Sequence, residues 1–170
     1  MNIIVTVKQV ADPNIPPAHI QLDPDGKRIV SPFGVPPVMN GYDANALEEA
    51  LRYARSRKQF GQPIGNFQTI QFQLADIATE LEAARMLTWK AADMRDRAPR
   101  VSLEAAMAKL FASETAERIC SDAIQVFGGY GYVNDFPVER IYRDVRVCQI
   151  YEGTSDIQKI LIGRALSQGL

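Results

Sequence analysis

The sequence predicts a mainly α fold, an antiparallel helical bundle preceded by a short N-terminal strand and hairpin fragment. Two observations carry this. Seven of the ten prolines fall in the first 37 residues, and after Pro63 only Pro99 and Pro137 remain, so turn chemistry dominates the front and long helices the rest. From Phe67 onward, apolar residues recur at alternating spacings of three and four, the signature of a helix seam in a bundle.

Taken in order, Ile3 to Val10 is a continuous β-branched run, consistent with a buried strand. Asp12-Pro13 and Pro16-Pro17 break it. His19–Leu22 and Lys27–Val30 flank Asp23-Pro24-Asp25-Gly26, which has hairpin turn chemistry. Pro32 to Pro37 reads as an extended connector. Asp43 is the expected N-cap of a helix from Ala44 to about Lys58, where Ala46, Leu47, Ala50, Leu51 and Ala54 make one apolar stripe. Gly61, Pro63 and Gly65 end it, and Asn66 is expected to cap the next. That helix carries Phe67, Ile70, Leu74, Ile77, Leu81, Ala84, Thr88 and Ala91; continued to Arg95 it would be about 43 Å long at ~1.5 Å per residue. Ala98-Pro99 is the turn and Ser102 the expected cap of a helix from Leu103 to Phe127. Ala105, Ala108, Ala112 and Ala116 permit close approach on one side, while Met107, Leu110, Phe111, Ile119, Ala123 and Phe127 supply bulk. Gly128–Gly131 stops it. Asn134 or Asp135 caps a shorter helix to about Val145, with Pro137 near its first turn. A last helix runs from Asp156 to about Ser167, with Ser155 as N-cap and Gln158 completing a capping box.

Bulk properties exclude several classes. The chain has 170 residues, 46% apolar and 23% charged, ordinary for one soluble domain with a real core. A net charge of −1 gives no field favouring nucleic acid or an anionic membrane. Apolar runs fall far short of a membrane span, and Met1–Lys8 has no signal-peptide pattern. Two cysteines, Cys120 and Cys148, fit a reducing, cytoplasmic setting as buried small apolar residues. His19 stands alone, and no Cys/His cluster has metal-ligand spacing, so no metal is expected.

Three stretches carry chemistry in two readings each. Gly128-Gly129-Tyr130-Gly131 invites a phosphate-loop reading, but it follows a helix rather than a strand, which favours a glycine C-cap; glycine still permits close approach of a ligand. Arg55-Ser56-Arg57-Lys58 complements a helix C-terminus, or clamps an anion with Arg57 as the better fork. Glu152, between Tyr151 and Gly153 ahead of a helix start, is a favourable charge there, or a base if burial raises its pKa.

Four motifs in register resemble the acyl-CoA dehydrogenase family. They are Arg57-Lys58-Gln59-Phe60-Gly61-Gln62-Pro63-Ile64, Gln125-Val126-Phe127-Gly128-Gly129-Tyr130-Gly131, Pro137-Val138-Glu139-Arg140 and Ile150-Tyr151-Glu152-Gly153-Thr154-Ser155. They match the family's C-terminal helical domain from about Leu51 to Leu170. The front is similar to something else. Ile3–Val10, the Pro24-Asp25-Gly26 turn and Val38–Ala50 resemble the start of the electron transfer flavoprotein β subunit over about residues 1–52, although Gly41 stands where that family usually has proline. The two resemblances meet inside one helix with its phase preserved. They imply domains of 1–52 and 53–170, and a fusion or truncation.

The first resemblance implies an FAD-dependent oxidoreductase of fatty acid metabolism. Glu152 would remove the α-proton of an acyl-CoA thioester, a β-hydride would pass to the flavin, and electron transfer flavoprotein would reoxidise it. Arg57, Phe60, Ile64 and Gln68 would hold FAD, usually from a neighbouring subunit. Gln125, Gly128 and Gly129 would sit at its adenosine end, with Thr154 and Asp156 completing the contacts. Tyr151, Gly153 and Arg164 would face the acyl-CoA. The second resemblance implies nucleotide contacts at Thr6, Asn40, Gly41, Tyr42 and Asp43. The alternative function is a catalytically incomplete helical oligomerisation domain, forming a dimer or tetramer.

Overall fold

A computed structural model of the chain describes residues 42–97 and 100–168, together with four two-residue strand segments nearer the N-terminus. The chain divides into two compact units, and those four segments fall in one of them, Lys8–Gly41. There β1 (Gln9–Val10) pairs antiparallel with β4 (Val38–Met39), and β2 (Gln21–Leu22) with β3 (Ile29–Val30) in the register Gln21↔Val30 and Leu22↔Ile29. The expected hairpin is therefore present. Its turn lies outside the described residues, as do Ile3–Lys8, Thr6 among them, and the proposed nucleotide positions Asn40 and Gly41.

The helices make up the other unit: α1 (Tyr42–Ser56), α2 (Gln68–Arg97), α3 (Ser102–Phe127), α4 (Val138–Val145) and α5 (Ser155–Gln168). The junction expected near residue 52 falls inside α1, which runs through it without a break. Tyr42 and Asp43, also proposed for nucleotide contact, form the first turn of α1. Helix α3 is the hub and packs against α1, α2, α4 and α5. Its sequence explains why. Ala105, Ala106, Ala108, Ala116 and Ala123 are buried on it, letting neighbouring backbones approach, while Ile119 and Phe127 fill the space between. Met107, expected in the core, is 37% exposed.

The α2 seam is buried from Ile77 through Leu81, Ala84, Thr88 and Ala91, with Ile70 and Leu74 partly covered. Thr88 satisfies its hydroxyl on the Ala84 carbonyl at 2.8 Å. On the other side of α2, Phe72, Met86 and Trp89 are exposed. An aromatic cluster joins α1 to the end of α3. Tyr53 stacks on Phe127 with centroids 4.0 Å apart, and Phe136 meets both rings edge-on at 5.9 and 5.4 Å.

Each of the five helices starts differently from expectation. Val101, not Ser102, precedes α3, and its carbonyl accepts from Ala105 N–H at 2.9 Å. Asn66 lies inside a 3-10 turn (Ile64–Asn66), and the extended Phe67 supplies the carbonyl that Ile70 and Gln71 N–H bond. Pro137, not Asn134 or Asp135, sits at the cap of α4 with no side-chain cap bond. At α5, Thr154 Oγ1 accepts from Ile157 N–H at 3.4 Å, and Ser155 is already helical. Which residue sits at the cap is set by how the chain arrives from the previous element. Helix α1 likewise begins at Tyr42, one residue before the expected cap Asp43. At the other end of α3 the expectation held: Gly128, with φ +62°, is the C-cap, and its N–H bonds the Gln125 carbonyl.

Candidate functional site

The residues singled out from the sequence fall into two groups. The first begins where α1 ends. Arg57 N–H still bonds the Tyr53 carbonyl at 2.8 Å, then the chain turns into a tight hairpin of β5 (Lys58–Gln59) and β6 (Gln62–Pro63). The central residues Phe60 and Gly61 have φ +50° and +81°, the pattern of a two-residue turn with left-handed backbone at both positions. Glycine suits the second position. Phenylalanine at the first is strained, and its ring stands 93% exposed at the hairpin tip.

This hairpin, the end of α3 and the Gly128–Gly131 turn line a groove of about 700 Å³. Arg57, Phe60, Ile64, Gln125, Gly128 and Gly129 all line it, so six of the nine residues proposed for FAD come together from two distant segments. Tyr53 and Phe127 contribute aromatic surface. The Arg57 guanidinium lies 5.2 Å from the Tyr130 ring centroid, a cation–π contact, and the Gln59 amide oxygen can accept from it at 2.7 Å. Among the described residues, nothing beyond its chain neighbours lies within 4 Å of where a Gly129 side chain would begin, so their packing does not require glycine there. Gln68 begins α2 but is not part of the groove lining.

The second group is the corner between a 3-10 turn (Arg146–Gln149) and α5. The turn is fastened to α3. Gln149 Nε2 donates to Glu117 Oε2 at 2.5 Å and to the Ser113 carbonyl at 3.3 Å, while Arg146 bonds both Glu117 and Gln149. Beyond it, Glu152 and Gly153 both have left-handed backbone, φ +55° and +95°. Glu152 is exposed within this chain. Tyr151 is partly buried, its hydroxyl 3.4 Å from Cys148 Sγ. Thr154 and Asp156 open α5, and Arg164 is exposed further along it. None of these residues lines the groove.

Two residues at this corner escaped the sequence reading in their real roles. Lys109, on α3, donates to the Gly153 carbonyl at 2.6 Å. Gln158, fully buried on α5, donates to the same oxygen at 3.1 Å. Partial desolvation holds the Lys109 ammonium below the usual lysine pKa, opposed by the nearby Cys148 and Glu152. The signal for Lys109 was there: it is a single cation within Ala105–Ala112, a stretch otherwise of small and apolar residues.

Residues 38–167 match the family profile of the acyl-CoA dehydrogenase, C-terminal domain. The chain belongs to that family. The match begins well before residue 53 and takes in all of α1. Among relatives of the acyl-CoA dehydrogenase domain, the caffeyl-CoA reductase-Etf complex subunit CarC of Acetobacterium woodii is 48% identical over 137 residues, covering 81% of this chain and 36% of that protein. The butyryl-CoA dehydrogenase structure from Megasphaera elsdenii superposes with a TM-score of 0.73 at 44% identity, covering 75% of this chain and 33% of that one. The FAD complex of PigA superposes at 0.70 and 36% identity, covering 74% and 33%. The chain thus spans about a third of the length of these relatives. The family match begins at residue 38, so the front segment's resemblance to the electron transfer flavoprotein β subunit stays an expectation. Among the described residues, no helix is long and apolar enough to cross a membrane, and no group of His, Cys, Asp and Glu is placed to hold a metal.

Proposed function

We propose that the groove and the Glu152 corner are the two parts of an acyl-CoA dehydrogenase flavin site, and that the protein oxidises an acyl-CoA thioester between its α and β carbons with electron transfer flavoprotein as acceptor. The convergence of Arg57, Phe60, Ile64, Gln125, Gly128 and Gly129 on one groove carries the reading. Those residues fit FAD. A guanidinium at the rim suits a diphosphate. Aromatic walls and a bare Gly129 backbone suit a flat ring system that must come close. Held there, a flavin would supply a hydride acceptor. Glu152 takes the α-proton, and its projection from a left-handed turn aims an exposed carboxylate outward from the corner. Tyr151, Gly153 and Arg164 face the thioester side, while Gln68, Thr154 and Asp156 complete the cofactor contacts.

The groove and the corner lie apart within one chain, so the reading favours a composite site in a homo-oligomer. The groove of one copy would meet the corner of another, and closing that site would bury Glu152. A second reading, a helical assembly domain without turnover, draws on the exposed Phe72, Met86 and Trp89 of α2 and Ile157, Ile160 and Leu166 of α5.

The test is reduction of the flavin-loaded protein by an acyl-CoA series in the absence of acceptor. The expected result is acyl-CoA-dependent bleaching that Glu152→Gln slows by about 10²–10⁴-fold, the usual contribution of a general base. Bleaching at equal rates in both proteins would remove Glu152 from the chemistry. Oligomers that bind neither FAD nor acyl-CoA would favour the assembly reading.

A further inference from the structure

We propose that Lys109 is a positioning residue for the Glu152 carboxylate: from α3 it pins the Gly153 carbonyl and so holds the left-handed Glu152–Gly153 turn from which the base projects. The inference rests on the reading of Glu152 as the base and adds to it a residue outside every motif that pointed there.

The backbone sets the problem. A glutamate at φ +55° is in a sparsely populated region. It persists there only where surroundings over-determine it, because the conformation is strained. The turn lies on the surface, and Glu152 itself is exposed, so side-chain packing on Glu152 does not fix it. What fixes it is the next carbonyl. Two donors converge on Gly153 O, Lys109 Nζ at 2.6 Å and Gln158 Nε2 at 3.1 Å. The first is charge-assisted and short, the stronger class of hydrogen bond. The two donors stand on different helices, and α3 and α5 pack directly on each other, so the turn is tied at one atom to two rigid supports.

Lys109 is chosen for this task by what surrounds it. Its neighbours Ala105, Ala106 and Ala108 are buried on the hub helix, so its stem leaves a fixed backbone. The side chain is partly buried, where a cation is disfavoured unless it is used. Among the described residues its hydrogen-bond acceptor is a main-chain carbonyl 44 residues away rather than a carboxylate. An ordinary surface lysine on α3 would point to solvent or to an acid on the same helix.

Two lines of measurement test this in the full chain. In the wild-type protein, labelled Lys109 Nζ should show a scalar coupling across the hydrogen bond to the Gly153 carbonyl carbon; its absence at neutral pH overturns the proposal. In variants, Lys109→Met should keep the helical circular dichroism spectrum while the Glu152 amide–Hα coupling and the Gly153 carbonyl shift leave their wild-type values. Its kcat for acyl-CoA-dependent flavin reduction should fall by about 10²-fold, the scale of a 1 Å misplacement, with KM changed far less. Lys109→Arg, which retains a cationic donor, should recover most of both signals. Wild-type Glu152 signals and kcat in a folded Lys109→Met protein would overturn the proposal. Should Lys109→Met not fold, the wild-type coupling decides. Should no protein reduce flavin while the Glu152 and Gly153 signals still follow Lys109→Met and Lys109→Arg, the turn is held as proposed and it is the reading of Glu152 as base that fails.

Discussion

Phe127→Ala should cost about 3–5 kcal/mol of folding free energy, the usual range for emptying an aromatic from a core. Phe127 is the last residue of the hub helix and is 3% exposed. Its ring stacks on Tyr53 of α1 and meets Phe136, which in turn meets Tyr130 at 5.6 Å. Alanine leaves a void among three rings that cannot collapse together, because each is anchored on a different segment. The same residue lines the groove, so the loss is not confined to stability. Guanidinium chloride unfolding should give a lower midpoint with an unchanged slope, and flavin affinity should fall in protein that remains folded. A loss below about 1 kcal/mol would mean that the cluster repacks and that its rings are not what shapes the groove.

Gly153→Ala should disrupt the carboxylate corner more than any other single methyl there. Gly153 sits at φ +95°, where an L side chain is strained by about 1–3 kcal/mol. The added Cβ would also lie 2.7 Å from Gln158 Nε2, which is far inside contact distance. Gln158 has nowhere to go. It is fully buried, and its Oε1 and the nearby Ser155 Oγ have no hydrogen-bond partner among the described residues. Pushing its amide away from the Gly153 carbonyl strands a further buried donor at about 1–3 kcal/mol. Denaturant unfolding should register the sum of these terms, about 2–6 kcal/mol. Flavin reduction by acyl-CoA should be lost out of proportion to the folded fraction, because Glu152 leaves its turn. A variant with wild-type stability and turnover would show that the left-handed turn is not needed.

Helix α2 was the most legible in the sequence because one face of it packs mainly on a single partner, α3. Ile77, Leu81, Ala84, Thr88 and Ala91 state the α2 seam by spacing alone, and each is buried. The hub role of α3 was half legible. Its alanines indicated close approach, but contact with four neighbouring helices blurs the periodic signal, which is why Met107 was assigned to the core. Caps were the weakest feature. Ser102, Asn66, Asp135 and Ser155 have the right chemistry, yet Val101, Phe67, Pro137 and Thr154 occupy the positions, since a cap depends on the incoming chain direction. The hairpin at Lys58–Pro63 was read only as a helix end, because a strained Phe60 at a turn position contradicts local preference.

The candidate site divides in the same way. Motif residues in the groove were named from the sequence because they sit in short, recognisable runs. The supports of the corner were not. Lys109 reaches Gly153 across 44 residues, and Gln149 reaches Glu117 across 32, separations at which no local pattern survives. The donor that reaches Gly153, next to Glu152, from α3 carries no motif.

FAD titration of the purified chain, followed by quenching of flavin fluorescence and by sedimentation, tests most directly whether the groove is a flavin site. The account predicts saturable binding of one FAD per chain in an oligomer, weakened by about tenfold or more in Arg57→Ala, where a charge-assisted contact to phosphate is lost. Unquenched flavin at saturating protein, or equal affinity in the wild type and Arg57→Ala, would contradict it.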